Sequence, residues 1–291
     1  MAATVEEILD SHRTGRAVVV GVLNVTPDSF SDGGEFFEPA AAREQAARLA
    51  AEGADAIDVG AESTRPGSDR VGADEQVRRL REVLPAAVAA GVPVCIDTTL
   101  SAVARSALDA GAAIINDISA GRDDAGMFAL AAQRGVPIAL MHMLGQPKTM
   151  QARPSYRDVV GEVRAFLAGR IAAAVAVGVP RGNIIVDPGI GFGKLLEHNL
   201  ALLAGAGELA SLGRPVMVGP SRKRFLGELT GQRDPKARGV ATVAACLAAW
   251  QRGATIFRVH EPGPLAQALA VAQAVGRYDR AAEPPRVAAD V

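Results

Sequence analysis

One alternation repeats along the chain. An alanine-rich stretch with apolar residues three and four apart runs to a glycine, and a short apolar run rich in β-branched residues follows. Gly53 precedes ADAIDVG, Gly91 VPVCIDT, Gly111 AAIINDIS, Gly135 VPIALMH, Gly182 NIIVDPG, Gly213 RPVMVGP and Gly253 ATIFRVH. Each unit reads as a helix, a glycine cap, a turn and a parallel strand buried on both faces. AVVVGVLN, after Gly15, brings the count to eight strands. Between them, PAAAREQAARLAAEG, ADEQVRRLREVLPAAVAAG and SAVARSALDAG carry helical spacing. Spread over 291 residues, eight units take roughly 36 residues each, the size of a (β/α)8 repeat. No G-x-G-x-x-G follows the first strand, and no linker or composition break divides the chain, so an open doubly wound sheet fits less well. The pattern predicts an α/β TIM barrel as a single domain, with residues 1–15 as an N-terminal extension, 16–277 as the barrel and 278–291 as a polar tail.

Composition narrows the function. With 31 basic and 32 acidic residues the formal net charge is −1, which argues against nucleic-acid binding by bulk charge. MAATVEEILDSHRTG has neither an apolar core nor a basic start, so no secretory signal is expected. Apolar runs such as VATVAACLAAW fall far short of the ~20 residues that span a bilayer, so no membrane association is expected. Cys95 and Cys246 both sit in apolar runs and read as small buried hydrophobes, as suits a reducing cytoplasm.

In a barrel of this kind chemistry gathers at the carboxyl ends of the strands. Those ends carry Asn24, Asp58 to Glu62, Asp97, Asn116 with Asp117, Met141 with His142, Asp187, the run Ser221 to Lys223, and Arg258 with His260. So many hydrogen-bonding strand ends at one mouth predict a polar site with carboxylates and cations. In TIFRVH, Arg258 and His260 share one face and Phe257 and Val259 the other, and an Arg and a His aimed into a mouth suit an anion such as phosphate. The loops NVTPDSFSDGG and AESTRPGSDRVG are rich in hydroxyls and suit an oxyanion or a phosphate-bound metal. DPGIGFGK lacks P-loop spacing, so its glycines are expected to admit a flat ligand to the backbone. Asp187, before a proline, can cap the next turn; buried at the mouth it can instead take two parallel N–H bonds from a guanidine-like edge such as an aminopyrimidine. Asp97 and Asn116 add an acceptor and a dual donor–acceptor, and Lys223 a cation for a ring carbonyl. The residues therefore point to a flat nitrogen heterocycle inside and an anion at the rim. Among His12, His142, His198 and His260 no zinc spacing occurs, which leaves a hard cation carried by phosphates. A G-x-S-x-G nucleophile motif is absent.

NVTPDSFSDGG, ESTRPG, IDT, IINDIS, DPGIGFGK with HNL, GPSRKRFLG and the closing FRVH, in that order from about Gly15 to Val275, resemble the dihydropteroate synthase family. The resemblance implies a TIM barrel, usually a homodimer. Its members join 6-hydroxymethyl-7,8-dihydropterin diphosphate to 4-aminobenzoate, giving 7,8-dihydropteroate and diphosphate, and sulfonamides compete with the aminobenzoate. By motif position it implies that Asn24 ligates Mg²⁺ together with the diphosphate. Thr64, Arg258 and His260 would hold the diphosphate, and Asp97, Asn116, Asp187 and Lys223 the pterin, with Met141 packed on its ring. Phe30, Arg65, Pro66, Phe192, Ser221 and Lys223 would shape the aminobenzoate subsite. Asp97, Arg258, His260 and Lys223 are then the expected catalytic groups, acting on a diphosphate that leaves by ionisation. Ile190 stands where many members carry Phe, and Arg224 where a smaller residue is common. A pterin-dependent methyltransferase of the same barrel would have no use for the phosphate-binding residues, and a non-catalytic pterin-binding paralogue no use for the intact first two loops.

Overall fold

The computed structural model describes residues 2–25, 39–63, 68–146 and 148–282. Eight strands, β1 Val18–Asn24, β2 Ala56–Gly60, β3 Val94–Asp97, β4 Ile114–Asp117, β5 Ile138–Met141, β6 Ile184–Asp187, β7 Met217–Val218 and β8 Ile256–Val259, form one sheet. Its order is β6-β5-β4-β3-β2-β1-β8-β7 and every pairing is parallel. A parallel bridge from Val186 to Val216 brings the two edges together, so the sheet is the expected barrel.

The strands carry two kinds of buried residue because alternate side chains face opposite ways. Outward ones, such as Ile57, Ile96, Ile115, Leu140, Val186 and Phe257, are fully buried under the surrounding helices. Inward ones come in two tiers. The lower tier is apolar: Val18, Val20, Ala56, Cys95, Ile114, Ala139, Ile185, Met217 and Ile256 form one cluster with Ile8. Two residues further along six of these strands, the inward positions are Asp58, Asp97, Asn116, Met141, Asp187 and Arg258.

Ile8 belongs to α1, Val5–Thr14, in the stretch expected as an N-terminal extension. A capping box starts this helix: the Thr4 hydroxyl accepts from Glu7 N–H at 3.2 Å and the Glu7 carboxylate from Thr4 N–H at 2.8 Å. The helix lies across the lower end of the barrel, where Ile8 is 1% exposed and Ser11 Oγ bonds Thr255 Oγ1 at 2.9 Å. The last helix, Pro262–Ala282, continues past residue 277.

Two helix readings need correction. ADEQVRRLREVLPAAVAAG is not one helix but two, Ala73–Leu80 and Val83–Val88. Pro85 has no N–H to give to the carbonyl of residue 81, and its ring crowds that carbonyl, so the ladder restarts with Pro85 in a first turn. The glycine that ends the helix before β6 is Gly178, at φ 105°, not Gly182, which lies in a single 3-10 turn. Pro180 blocks continuation just beyond the cap.

Candidate active site

Strand register assembles the mouth. Asn24 pairs with Gly60, Gly60 with Asp97 and Asp97 with Asn116, so four strands bring these residues into one row. On the far side Met141 pairs with Asp187. Arg258 enters from β8, 22% exposed, and joins two carboxylates. Its Nε donates to Asp58 Oδ2 at 2.5 Å and its Nη2 to Asp97 Oδ2 at 2.9 Å. Asn116 Nδ2 donates to the same Asp58 oxygen at 3.1 Å. Burial, and then the neighbouring Asp58 charge, push the Asp97 carboxyl well above the usual carboxylate range. For Arg258 burial acts the other way, but the carboxylates outweigh it and hold the guanidinium above its ordinary value.

Asp187 does both things its position allows. Its Oδ1 accepts the Gly189 N–H at 2.7 Å, capping the turn, while the side chain stays buried at the mouth. Burial raises its pKa against the pull of Gly189, Lys223, Lys194 and Arg258. Asp117, in contrast, faces away: it takes the Ser119 N–H at 2.8 Å and the Gly121 N–H at 2.7 Å and fixes the loop after β4.

Lys223 is the N-cap residue of the helix Arg224–Thr230. Its ammonium bonds the Ile190 carbonyl and lies 4.1 Å from the Phe192 ring centroid, and burial lowers its pKa to about 7. Phe192 packs on a buried wall of Ile118, Met141, Met143 and Met150. Ser221 Oγ lies 3.0 Å from His260 Nδ1, which ties β7's following turn to the end of β8. Structure thus brings Asn24, Asp97, Asn116, Met141, Asp187, Phe192, Ser221, Lys223, Arg258 and His260 to the mouth. Phe30, Thr64, Arg65 and Pro66 lie outside the described residues.

The glycines of DPGIGFGK do not open the backbone to a ligand. All three have positive φ, and protein atoms fill the space a Cβ would take. At Gly189 a Cβ would stand 1.9 Å from the His142 carbonyl oxygen, and at Gly191 2.6 Å from Lys223 Cδ. They let the loop fold onto β5 and under Lys223. Lys194 locks that fold from within. It is 3% exposed and reaches His142 Nδ1 at 3.1 Å, the His142 carbonyl at 3.3 Å and the Phe192 carbonyl at 3.0 Å.

Three supporting residues had no role in the sequence reading: Asp58, which stood only among the polar strand ends, and Lys194 and Arg238. Asp58 had a signal, since AIDVG places it on the inward face with Ala56. Arg238 had none, because it sits in the polar run GQRDPKARG. It is 9% exposed and donates to the carbonyls of Arg222 at 2.9 Å, Lys223 at 3.2 Å, Gln232 at 3.0 Å and Arg233 at 2.7 Å. It braces a turn in which Arg222 adopts φ 61°, a conformation that disfavours a side chain.

Among the described residues no three His, Cys, Asp or Glu gather as a metal cage. Asn24 offers one hard oxygen at the end of β1, beside the Asp97 row. That donor set fits Mg²⁺ carried mainly by phosphate and water rather than enclosed by protein.

Residues 20–260 match the family model described as pterin binding enzyme. A dihydropteroate synthase of Synechocystis sp. is 46% identical over 263 residues, covering 90% of this chain and 91% of that one. The chain belongs to the dihydropteroate synthase family. A solved dihydropteroate synthase of Xanthomonas albilineans with 4-aminobenzoic acid superposes with a TM-score of 0.85 at 46% identity, covering 92% of this chain and 94% of that one. A complex of dihydropteroate synthase from the same organism with 7,8-dihydropteroate gives 0.81 at 43% identity, covering 92% and 95%.

Proposed function

We propose that the chain condenses 6-hydroxymethyl-7,8-dihydropterin diphosphate with 4-aminobenzoate by letting the diphosphate leave first. The condensation, which yields 7,8-dihydropteroate and diphosphate in folate biosynthesis, is the activity of the dihydropteroate synthase family. Asp187 would take the 2-amino and ring N–H edge of the pterin, next to its bond with Gly189. Asn116 and Lys223 would meet the remaining ring heteroatoms, with Met141 against the ring face. The observation that carries the order of events is Arg258, a guanidinium held at the mouth by two carboxylates. As the carbon–oxygen bond to diphosphate breaks, both electrons go to oxygen, and Arg258 and His260 offer donors to that growing charge. The positive charge left on the pterin methylene is delocalised into the ring, where the Asp97 carboxylate offsets it. The arylamine nitrogen then bonds to that carbon and loses a proton to solvent. Mg²⁺, held by Asn24 and the diphosphate, would supply further charge neutralisation when bound.

An arylamine is a weak nucleophile, so direct displacement would gain little from a base. The ionisation route predicts a rate almost independent of arylamine nucleophilicity. Product formation from a series of ring-substituted 4-aminobenzoates, with dihydropterin diphosphate and Mg²⁺ saturating, tests this. A rate that climbs steeply with amine basicity would return the mechanism to displacement.

We also place the protein in the cytoplasm as a homodimer. Cys95 and Cys246 are free and buried. Among the described helices none is long and apolar enough to cross a membrane. Val240 on the helix Gly239–Trp250 is 86% exposed, and Val271 and Val275 on the adjoining last helix are 66% and 56% exposed, an apolar surface for a second copy. Light scattering at micromolar concentration reads the mass directly, and a monomer there contradicts the assignment.

A further inference from the structure

Arg258 has two anchors, and they differ in kind. Asp97 sits in the row with Asn24 and Asn116 and is 9% exposed. Asp58 lies one inward position deeper, in register with Cys95, and is 1% exposed. A ligand that takes up Asp97 Oδ2 competes with Arg258 Nη2 for that oxygen. Asp58 has no such competitor. Its Oδ2 is taken up by Arg258 Nε and Asn116 Nδ2, both from within the barrel. Its Oδ1 is buried and has no hydrogen-bond partner among the described residues. Asp58 and Asn116 border a small void lined mostly by apolar residues, among them Ile8, Ala56 and Ile114.

We propose that Asp58 is the positioning residue for Arg258: a fixed pivot at Nε about which the guanidinium turns when the pterin takes up Asp97, keeping its Nη groups at the mouth. The same oxygen orients the Asn116 amide. This rests on the role proposed above for Arg258. Held by Asp97 alone, the guanidinium would have to give way to the pterin, and the donor for the leaving diphosphate would go with it. With the pivot, Asp97 can change partners while Arg258 stays.

The unpartnered oxygen makes the idea sharp. An Asn at this position can keep its carbonyl oxygen toward Arg258 and Asn116 and turn its NH₂ to where Oδ1 has no partner. Asp58→Asn should therefore preserve the pivot, and Asp58→Ala should abolish it. Steady-state kinetics, with thermal unfolding alongside, tests this. Asp58→Ala should lower kcat about a hundredfold and leave KM for 4-aminobenzoate within about twofold. Asp58→Asn should recover kcat to within about tenfold of wild type. In an Arg258→Met background Asp58→Ala should cost at least about tenfold less than in wild type, what remains passing through the Asn116 amide. An unchanged kcat in Asp58→Ala overturns the proposal. So does an Asp58→Asn no better than Asp58→Ala, or equal losses with and without Arg258. If Asp58→Ala does not fold, Asp58→Leu, of nearly the same size but with no acceptor, takes its place in the cycle with the same expected coupling to Arg258. Should Arg258→Met itself retain full kcat, the role assigned to Arg258 falls, which is a different failure from additivity in the cycle.

Discussion

Two residues separate two regimes inside this barrel. On β2 the inward side chain changes from Ala56 to Asp58, on β3 from Cys95 to Asp97, on β4 from Ile114 to Asn116, on β6 from Ile185 to Asp187 and on β8 from Ile256 to Arg258. Below the step, apolar side chains and the Ile8 plug fill the barrel. Above it, charged groups are packed almost as deeply, with Asp187 6% and Asp97 9% exposed. The lower tier gains free energy by burial. The upper tier gives some of it up, because burial raises both carboxylates and lowers Lys223. Stability and chemistry therefore share the same strands but not the same residues, and substitutions on either side of the step should have opposite signatures.

The largest effect is expected below it. Ile256→Ala should cost about 3–4 kcal/mol of unfolding free energy, since Ile256 is 1% exposed and its cavity cannot collapse inside a closed barrel. Its kcat should stay near wild type. Chemical denaturation and steady-state assays check both, and a variant that loses activity while keeping stability would erase the distinction. Above the step, Asp187→Asn should weaken pterin binding by about 2–4 kcal/mol. Its melting temperature should hold or rise, because an amide does not carry the desolvation that raises Asp187. Calorimetry with a diphosphate-free pterin measures the first; a loss under tenfold would leave Asp187 as a turn cap alone.

Lys194 makes the stability of the mouth depend on pH. Burial lowers its pKa to about 7 from 10.5. A depressed lysine pKa means that the folded state binds fewer protons than the unfolded chain between those values, so this contribution to stability grows from pH 7 to pH 10 and is lost on the way down. Lys194→Met lacks it. The advantage of wild type over the variant should thus widen by about 3 kcal/mol across that range. Denaturation curves at the two pH values decide, and a constant gap would mean that Lys194 folds fully charged. The smallest effect should come from Ser221→Ala. Losing its two bonds to His260, to the ring and to the backbone N–H, should cost about 1 kcal/mol in kcat/KM, with stability unchanged; a drop beyond a hundredfold would give Ser221 a larger part in the chemistry than positioning.

Much of this was legible in the sequence, for one physical reason. A parallel strand buried on both faces is apolar throughout, so a polar residue at its end stands out, and Asp97, Asn116, Asp187 and Arg258 were visible on that ground. Asp58 obeys the same rule but sits mid-strand, where a lone carboxylate gives no hint that an arginine 200 positions away will neutralise it. Arg238 was illegible because all its partners are backbone carbonyls, which every residue has, and Lys194 because it bonds two carbonyls and a histidine from the end of another strand. The glycine loop was misread for a related reason. Sequence shows that a Cβ is missing, but the His142 carbonyl that fills its place comes from the end of another strand.

On the proposed mechanism the upper tier stabilises a departing diphosphate rather than activating the amine. The most direct measurement uses dihydropterin diphosphate labelled with ¹⁸O at the bridge to the pterin methylene, incubated with protein and Mg²⁺ but no arylamine. If the bond ionises at the mouth and re-forms, the label should scramble into the non-bridging oxygens of the adjacent phosphate at a rate comparable with turnover. A label that stays at the bridge, in protein that turns over normally once 4-aminobenzoate is added, would contradict it.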